Sequence, residues 1–166
     1  MHCPVYGIAK KSNLRDYMSL DDYEVFDRMN DFADYVQHPW NDAISKNDPH
    51  DLALTYIDEL LEIIREIPGA KVNREELSFT FDDSEAVLKY ATAQILKDVG
   101  EYLTRIQKAL DEGAPIGHSL SMLRINELGG IEVLSDHGFI EHLWHWMEQV
   151  ETGETYILKD IYDYHY

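Results

Sequence analysis

The segment LSFTFDDSEAVLKYATAQILKDVGEYLTRIQKALDEG, residues 77–113, decides the fold class. Its first five residues alternate apolar and polar side chains, which is typical of a strand with one covered face. The next residues offer Asp83 or Ser84 as a helix cap, and an apolar pattern with three- and four-residue steps runs from there to Gly113. A strand followed directly by a long amphipathic helix indicates a protein that combines helices with a sheet.

The apolar pattern also predicts which side of the long helix is buried. We expect the core to receive Leu88, Ala91, Ile95, Val99, Tyr102, Ile106 and Leu110. Gly100 lies inside this helix, where glycine costs about 1 kcal/mol relative to alanine, so a kink or a close helix crossing is expected there.

The chain on either side supplies further helices. A first helix is predicted after the cap Ser19 and ends at Gln37 or His38, before Pro39. A second begins with Pro49 at its first position and ends before residues 68–69, Pro-Gly. We expect it to bury Ala53, Ile57, Leu60, Leu61, Ile64 and Ile67.

Short strands are predicted at residues 3–10, 131–134 and 155–166, and a last helix over 137–150. The fold class is therefore α+β, a helix-rich single domain over 1–166 with about four amphipathic helices packed on a small mixed or antiparallel sheet. The alternative is an all-α bundle with a short hairpin. A chain of 166 residues with 45% hydrophobic residues is long enough to bury one core and short for two.

The charge is the most unusual global feature. The chain has 32 acidic residues against 14 Lys and Arg, a formal net charge of −18. Such a surface repels nucleic-acid phosphates and anionic lipid, so we expect no direct binding to nucleic acid or to a membrane. No apolar run is long enough to cross a bilayer, no secretory signal is evident, and Cys3 is the only cysteine, so we expect a cytoplasmic protein.

The acids of the first two helices are arranged rather than scattered. Steps of three and four residues align them along one side of each helix, where like charges cost a few tenths of a kcal/mol per pair. These acids are Glu24, Asp27, Asp31 and Asp34 on the first helix and Asp58, Glu62 and Glu66 on the second. The long third helix instead mixes both signs. Retaining unfavourable acid rows suggests that a positively charged surface meets them.

The first functional hypothesis is accordingly a non-enzymatic acidic protein that docks on a basic surface of a protein partner, as an inhibitor, an immunity-type protein or a nucleic-acid mimic does. Exposed aromatic residues near the acids are the expected anchors, because such residues supply much of the energy of an interface. The candidates are Tyr23, Tyr35 and Trp40. This hypothesis requires no cofactor.

Two other functions stay open from the sequence. On the predicted helix 137–150, His137, Glu141, His145 and Glu148 form one row of imidazoles and carboxylates, which suits a divalent metal or a metal-dependent enzyme. The row is opposite the apolar side, so ordinary exposed helix pairs are the favoured explanation. In the third possibility the chain is a subunit of an assembly or a homo-oligomer, with the Tyr-rich segment 155–166 pairing as an exposed edge strand.

Overall fold

The structure is a computed structural model, and it describes residues 2–15, 17, 24–25, 27, 35–37, 51–113, 115 and 131–165. Within these residues seven strands form one sheet. The strands are β1 (His2–Lys10), β2 (Tyr35–Gln37), β3 (Ala70–Asn73), β4 (Ser78–Phe81), β5 (Glu132–Leu134), β6 (Ile140–His142) and β7 (Thr155–His165). The helices are α1 (Asp51–Glu66), α2 (Ser84–Asp111) and the short α3 (Leu143–Trp146), with 3-10 turns at Lys11–Asn13 and Met147–Gln149.

The strand order is β3-β4-β7-β1-β5-β6, with β2 also paired to β7. Strands β1 and β5 run parallel, and the other described pairs are antiparallel. The α+β class and the mixed sheet are therefore confirmed, and the all-α bundle is wrong. Besides the helical residues 24, 25 and 27, the described residues hold three α-helices with defined bounds. The sheet is larger than the sequence indicated, so the helix-rich description holds only in part. None of the described helices combines the length and apolar character needed to cross a membrane.

Strand β7 lies inside the sheet rather than at its edge. Residues 156–165 pair with β1 on one side, while residues 155–157 pair with β4 and residues 163–165 with β2 on the other. A strand is confirmed over residues 155–165, but its proposed use as an exposed edge is wrong, because β4 and β2 occupy the side opposite β1 at residues 155–157 and 163–165. Its buried side chains explain the Tyr-rich composition, since Tyr156 and Tyr162 belong to the core.

Helix α1 buries the residues that its sequence predicts, while its predicted start at Pro49 lies outside the described residues. All six apolar residues expected to face inward are buried, and the helix ends at Glu66 just before residues 68–69. Gly69 adopts a φ of 77°, the left-handed conformation that glycine tolerates best. The Tyr6 hydroxyl donates a 3.0 Å hydrogen bond to the Tyr56 carbonyl and the Tyr56 hydroxyl donates one to Asp163, which ties α1 to the middle of the sheet.

Helix α2 begins where the cap predicts but buries less than expected. The Asp83 carboxylate accepts hydrogen bonds from the backbone N–H groups of Glu85 and Ala86, at 2.9 and 3.2 Å. Its buried residues are Val87, Ala91, Tyr102 and Ile106. Leu88 and Ile95, which we expected in the core, are 43% and 37% exposed. Helix α2 therefore buries only part of its apolar surface, and the remaining apolar residues are exposed or half-buried.

The first helix is overextended in the prediction. Glu24, Val25 and Asp27 are helical, and Val25 is fully buried. Residues 35–37, however, form β2 and pair with β7, so a helix that ends at Gln37 or His38 is wrong. The backbone groups of residues 35–37 bond to β7 instead of forming helical hydrogen bonds. This pairing depends on tertiary context, which the periodicity of a sequence does not contain.

The predicted helix over 137–150 is also wrong in its first half. Residues 132–142 form a β-hairpin, in which Ser135 donates its backbone N–H to the Phe139 carbonyl at 2.9 Å. Gly138 takes a φ of 75°, as the left-handed position of a three-residue hairpin loop requires. The helix begins only at Leu143, where the His142 ring caps it by accepting the N–H of Trp144.

Candidate functional site

A cavity of about 570 Å³ opens at the β6 end of the sheet. The β5–β6 hairpin forms one wall, and α3 with the 3-10 turn after it forms the other. The described lining residues are Glu132, Ser135, His137, Phe139, Ile140, Glu141, His142, His145 and Gln149. Carboxylates, imidazoles and apolar groups therefore meet in one concave place, which is the usual form of a ligand site.

Local structure explains how these side chains converge. The hairpin loop returns the chain so that Glu132 of β5 stands opposite His142 of β6. The His142 Nδ1 accepts the Trp144 N–H at 3.3 Å, which places the neutral ring's proton on Nε2 and fixes the turn from strand into α3. One turn later, His145 projects back toward Glu141. A strand and a helix thus supply the two walls from a segment of eighteen residues, 132–149.

Glu141 is held by two neighbours. The Gln149 amide donates to both of its carboxylate oxygens at 2.9 Å, and the His145 Nδ1 lies 3.0 Å from one of them. The Glu141 side chain is only 11% exposed, whereas His145 is well exposed. The carboxylate therefore has a fixed position and direction, and the exposed imidazole lies between it and solvent.

Glu132 is the most perturbed acid of the cavity. Burial, and secondarily the charge of Glu141, raise its pKa from the ordinary 4.5 to about 7. Other withdrawn acids of the sheet accept a tyrosine hydroxyl: Asp160 from Tyr17 at 2.8 Å and Asp163 from Tyr56 at 3.0 Å. The Glu132 carboxylate receives no hydrogen bond from any residue in the described part of the chain. Ionised Glu132 therefore lacks the compensation that those acids have.

The cavity combines acid with an exposed apolar rim. None of its nine described lining residues is Lys or Arg, so the charge of the two carboxylates is opposed only by imidazoles. Phe139 is 68% exposed at the tip of the hairpin, and Ile140 continues the apolar wall inward. An elongated cation with an apolar stem fits this arrangement, since its stem would contact the rim and its head would reach the carboxylates.

The structure distributes the predicted metal ligands unevenly. His137, Glu141 and His145 line the same cavity, and the His145 Nε2 lies 3.9 Å from Glu148. His137 is outward on the hairpin loop, with its Nε2 3.8 Å from Asp136. Among the described residues, no group of three or more His, Cys, Asp and Glu is placed to hold a metal ion. The helix that was expected to align these four residues forms only in part. Metal binding by them stays a prediction.

The predicted acid row of α1 lies at the opposite end of the sheet, beside β3. Its members are exposed, but two of them have partners within the chain. Asp58 forms a 2.8 Å ion pair with Arg74, and Glu66 accepts a 3.3 Å hydrogen bond from the Tyr90 hydroxyl. Glu62 is exposed to solvent. The row is therefore real as a helix surface, though partly neutralised at Asp58.

The acid row of the first helix is described only at its start. Glu24 and Asp27 are exposed and helical. Tyr35 is part of β2. The remaining predicted contacts fall outside the described residues, namely Tyr23, Asp31, Asp34 and Trp40. Partner binding by these residues remains a prediction, as does the merging of the two rows into one surface.

Glu132 and Phe139 do not appear among the site residues predicted from the sequence. A signal for them exists, because the triplet Asp136-His137-Gly138 between two short apolar stretches is typical of a three-residue hairpin loop. Reading it so would have turned the segment from a helix into two strands. It would not have revealed the raised pKa of Glu132, which depends on burial.

Comparison with protein-family models, with curated proteins and with solved structures finds no match to this chain.

Proposed function

We propose that this protein is a non-enzymatic acidic binding protein that docks on a basic surface of a protein partner, and that the cavity at β6 receives one Lys or Arg side chain of that partner. The observation that carries the proposal is the pair Glu132 and Glu141, enclosed together with no Lys or Arg among the described lining residues. A cation placed between them would relieve their repulsion and ionise Glu132 fully.

The rim supports a side chain rather than a bare ion. The methylene stem of Lys or Arg would lie along Phe139 and Ile140, while its head would reach the carboxylates behind them. Arg suits the site best, because its planar group offers several donors to oxygens whose direction is fixed, as Gln149 fixes those of Glu141. Enclosed pairs of this kind mainly slow dissociation.

The exposed acids have a different part in this proposal. Glu62 and its neighbours on α1, with Glu24 and Asp27, would attract a basic surface over a distance and speed its approach. Such steering weakens as salt is added. An inhibitor, an immunity-type protein or a nucleic-acid mimic would use exposed acids for long-range attraction and the cavity acids for close contact. The proposed partner is a protein, and the proposed compartment is the cytoplasm, since the single cysteine cannot form an internal disulfide.

One observation favours the metal alternative, namely the contacts of His145 with Glu141 and Glu148. Protein purified without a histidine tag should be analysed for zinc, iron and manganese. Stoichiometric metal that disappears in His145→Ala would replace the cation-docking proposal with the metal one. Metal-free protein that retains the cavity would leave the docking proposal in place.

The docking proposal is tested with a defined probe, the acetylated and amidated peptide Gly-Ser-Arg-Ser-Gly, and its counterpart with citrulline, which has the same shape without the charge. We expect saturable ¹H–¹⁵N shifts at Glu132, Phe139, Glu141 and His145 with the Arg peptide alone. The ¹³C signal of the Glu132 carboxyl should report a lower pKa at saturation.

Glu132→Gln should lower the affinity for the Arg peptide at least tenfold at pH 8. Glu62→Gln, an equal loss of charge on exposed α1, is the matched control and should change affinity less than twofold. Chemical-shift changes at the α1 acids instead of at the cavity residues would overturn the proposal that the cavity binds the Arg side chain. Equal binding of the Arg and citrulline peptides would also overturn it.

A further inference from the structure

Helix α2 exposes a continuous apolar strip outside its contacts with α3 and the 3-10 turn Met147–Gln149. Leu88, Ile95, Leu96 and Leu103 are 43%, 37%, 67% and 53% exposed, and Val99 among them is half-buried. The polar member of the strip is Thr92, whose hydroxyl donates to the Leu88 carbonyl at 2.8 Å and so is satisfied within the helix. Contiguous exposed apolar residues of this kind mark an interaction surface.

The strip has a symmetric spacing. Counted from the point between Ile95 and Leu96, Thr92 and Val99 lie at equal distances, and so do Leu88 and Leu103. An identical helix laid antiparallel across this point would therefore place Leu88 against Leu103 of the other copy and Ile95 against Leu96. Contacts in which each copy uses the same patch are the signature of a two-fold dimer.

The charge of α2 also favours a second copy of this chain as the partner. Between Ser84 and Asp111 the helix carries Lys89, Lys97, Arg105 and Lys108 against Glu85, Asp98, Glu101 and Asp111. The two signs balance, so α2 contributes nothing to the net charge of −18. Two copies of so acidic a chain repel each other least along this helix, and the antiparallel arrangement also opposes the two helix dipoles favourably.

We infer that α2 is the self-association surface of this protein, through which two copies pair antiparallel about a two-fold axis at Ile95 and Leu96. Gly100 follows Leu96 by one helical turn, and the position of its missing Cβ has no neighbour within 4 Å. The space beside it lets the second helix approach closely.

The size of the strip sets the strength of the dimer. The four exposures of its aliphatic residues add up to about two fully exposed side chains per copy. Their burial in a dimer removes roughly 400 Å² of apolar surface in total, well below the roughly 1,200–2,000 Å² of a standard stable interface. We therefore expect a reversible dimer with a dissociation constant on the order of 10–100 μM.

Sedimentation equilibrium of the full chain from 5 to 500 μM measures this association. Wild type should pass from monomer to dimer across that range, and added salt should strengthen the dimer by screening the net charge. Leu96→Asp should weaken the dimer at least tenfold. The control is Phe139→Ser, which removes an equally exposed apolar residue from the hairpin and should leave the dimer unchanged.

Single cysteines test the geometry in a Cys3→Ser background. Leu96→Cys lies beside the axis and should form a covalent dimer on mild oxidation. Leu88→Cys should not pair with itself, because antiparallel copies hold these positions about 22 Å apart. It should pair with Leu103→Cys when the two variants are mixed.

A monomer at every concentration would overturn the proposal. So would a dimer that Leu96→Asp leaves intact, or self-pairing of Leu88→Cys as readily as of Leu96→Cys. Association that falls with added salt would likewise contradict an apolar contact along a neutral helix. The Arg peptide binds at the other surface, so Leu96→Asp should retain its affinity, and the two proposals can fail separately.

Discussion

Acidic side chains lie at both ends of the sheet, and the two ends differ in how far water reaches them. At the β3 end, Asp58 and Asp82 are exposed and each forms a 2.8 Å ion pair, with Arg74 and Lys71 respectively. At the β6 end, Glu132 and Glu141 are withdrawn into a cavity with imidazoles and no described Lys or Arg. Five strand spacings separate the two ends, about 24 Å.

This difference indicates which acids can contribute binding energy when a cationic partner arrives. Exposed pairs and solvated acids have already reached favourable arrangements with water or with their own cations, and a partner changes their free energy little. Enclosed acids without a cation lose hydration and repel each other, as the raised pKa of Glu132 indicates. The same residue type therefore serves long-range attraction at one end and anchoring at the other.

The largest expected effect is on stability. Removing the enclosed charge by Glu132→Gln should raise the free energy of unfolding by about 1–3 kcal/mol at pH 8, since the ionised carboxyl is disfavoured in the folded state. Urea denaturation measures it. At pH 4, where Glu132 is protonated in both states, the difference should vanish.

The sign follows from the direction of the shift. Because the folded pKa, about 7, exceeds the unfolded value of 4.5, the contribution of Glu132 is fully present below pH 4.5 and is lost as the pH rises through 7. Glu62→Gln on exposed α1 is the control and should change stability by less than about 0.5 kcal/mol at either pH. Equal effects of the two variants would erase the contrast between the ends.

The next effect is the pH dependence of docking. A cation requires ionised Glu132, so the affinity of the Arg peptide should rise about tenfold between pH 6 and pH 8. Isothermal titration calorimetry measures this rise. His137, His142 and His145 line the same cavity. Glu132→Gln keeps those imidazoles and should show a visibly flatter profile, whereas an identical profile would remove Glu132 from the binding event.

A smaller effect is expected at the exposed ion pair. Arg74→Gln breaks the contact with Asp58, and we expect a loss of about 0.2–1 kcal/mol in the free energy of unfolding, reduced further in 0.5 M salt. Thermal or urea unfolding of the variant beside wild type measures it. A loss above 2 kcal/mol would show that the β3 end is not simply solvated.

The smallest effect is kinetic. Converting Glu59, Glu62 and Glu66 together to Gln should lower the association rate of a peptide of five arginines about twofold to fivefold at low salt and leave its dissociation rate unchanged. Stopped-flow fluorescence measures both rates, with Trp144 as the reporter, since its ring lies 6.3 Å from that of His142. A changed dissociation rate would place the anchor on α1 and reverse the comparison.

The elements that the sequence predicts well are those whose burial follows one simple period. The five inward residues of α1 and Ile67 directly after it are buried, and the Asp83 cap starts α2 as expected. Prediction fails where the apolar pattern fits two structures. Phe139, Ile140 and Leu143 satisfy a helical spacing, yet Phe139 and Ile140 belong to a hairpin, because β5 offers strand pairing that a local pattern does not contain.

Part of the candidate site follows from local spacing and part does not. Glu141 and His145 meet as expected, but not as neighbours on one helix: Glu141 lies in β6, and the chain turns into α3 between them. Glu132 joins them only through strand pairing. The exposed strip of α2 was missed for a related reason: Leu88 and Ile95 have the pattern of core residues, and the pattern does not state how much surface the fold covers.

By itself, the sequence determined the class of secondary structure, the inward side of α1, the cap of α2 and the overall acidity, because each depends on residues within a few positions of one another or on composition alone. Tertiary structure decided that 132–142 is a hairpin, that β7 is interior, and that two acids share a cavity while others remain in water. These outcomes depend on long-range pairing and on exclusion of solvent. Both arise only when distant segments meet, so the charge of a residue was readable from the chain, and the free energy of that charge was not.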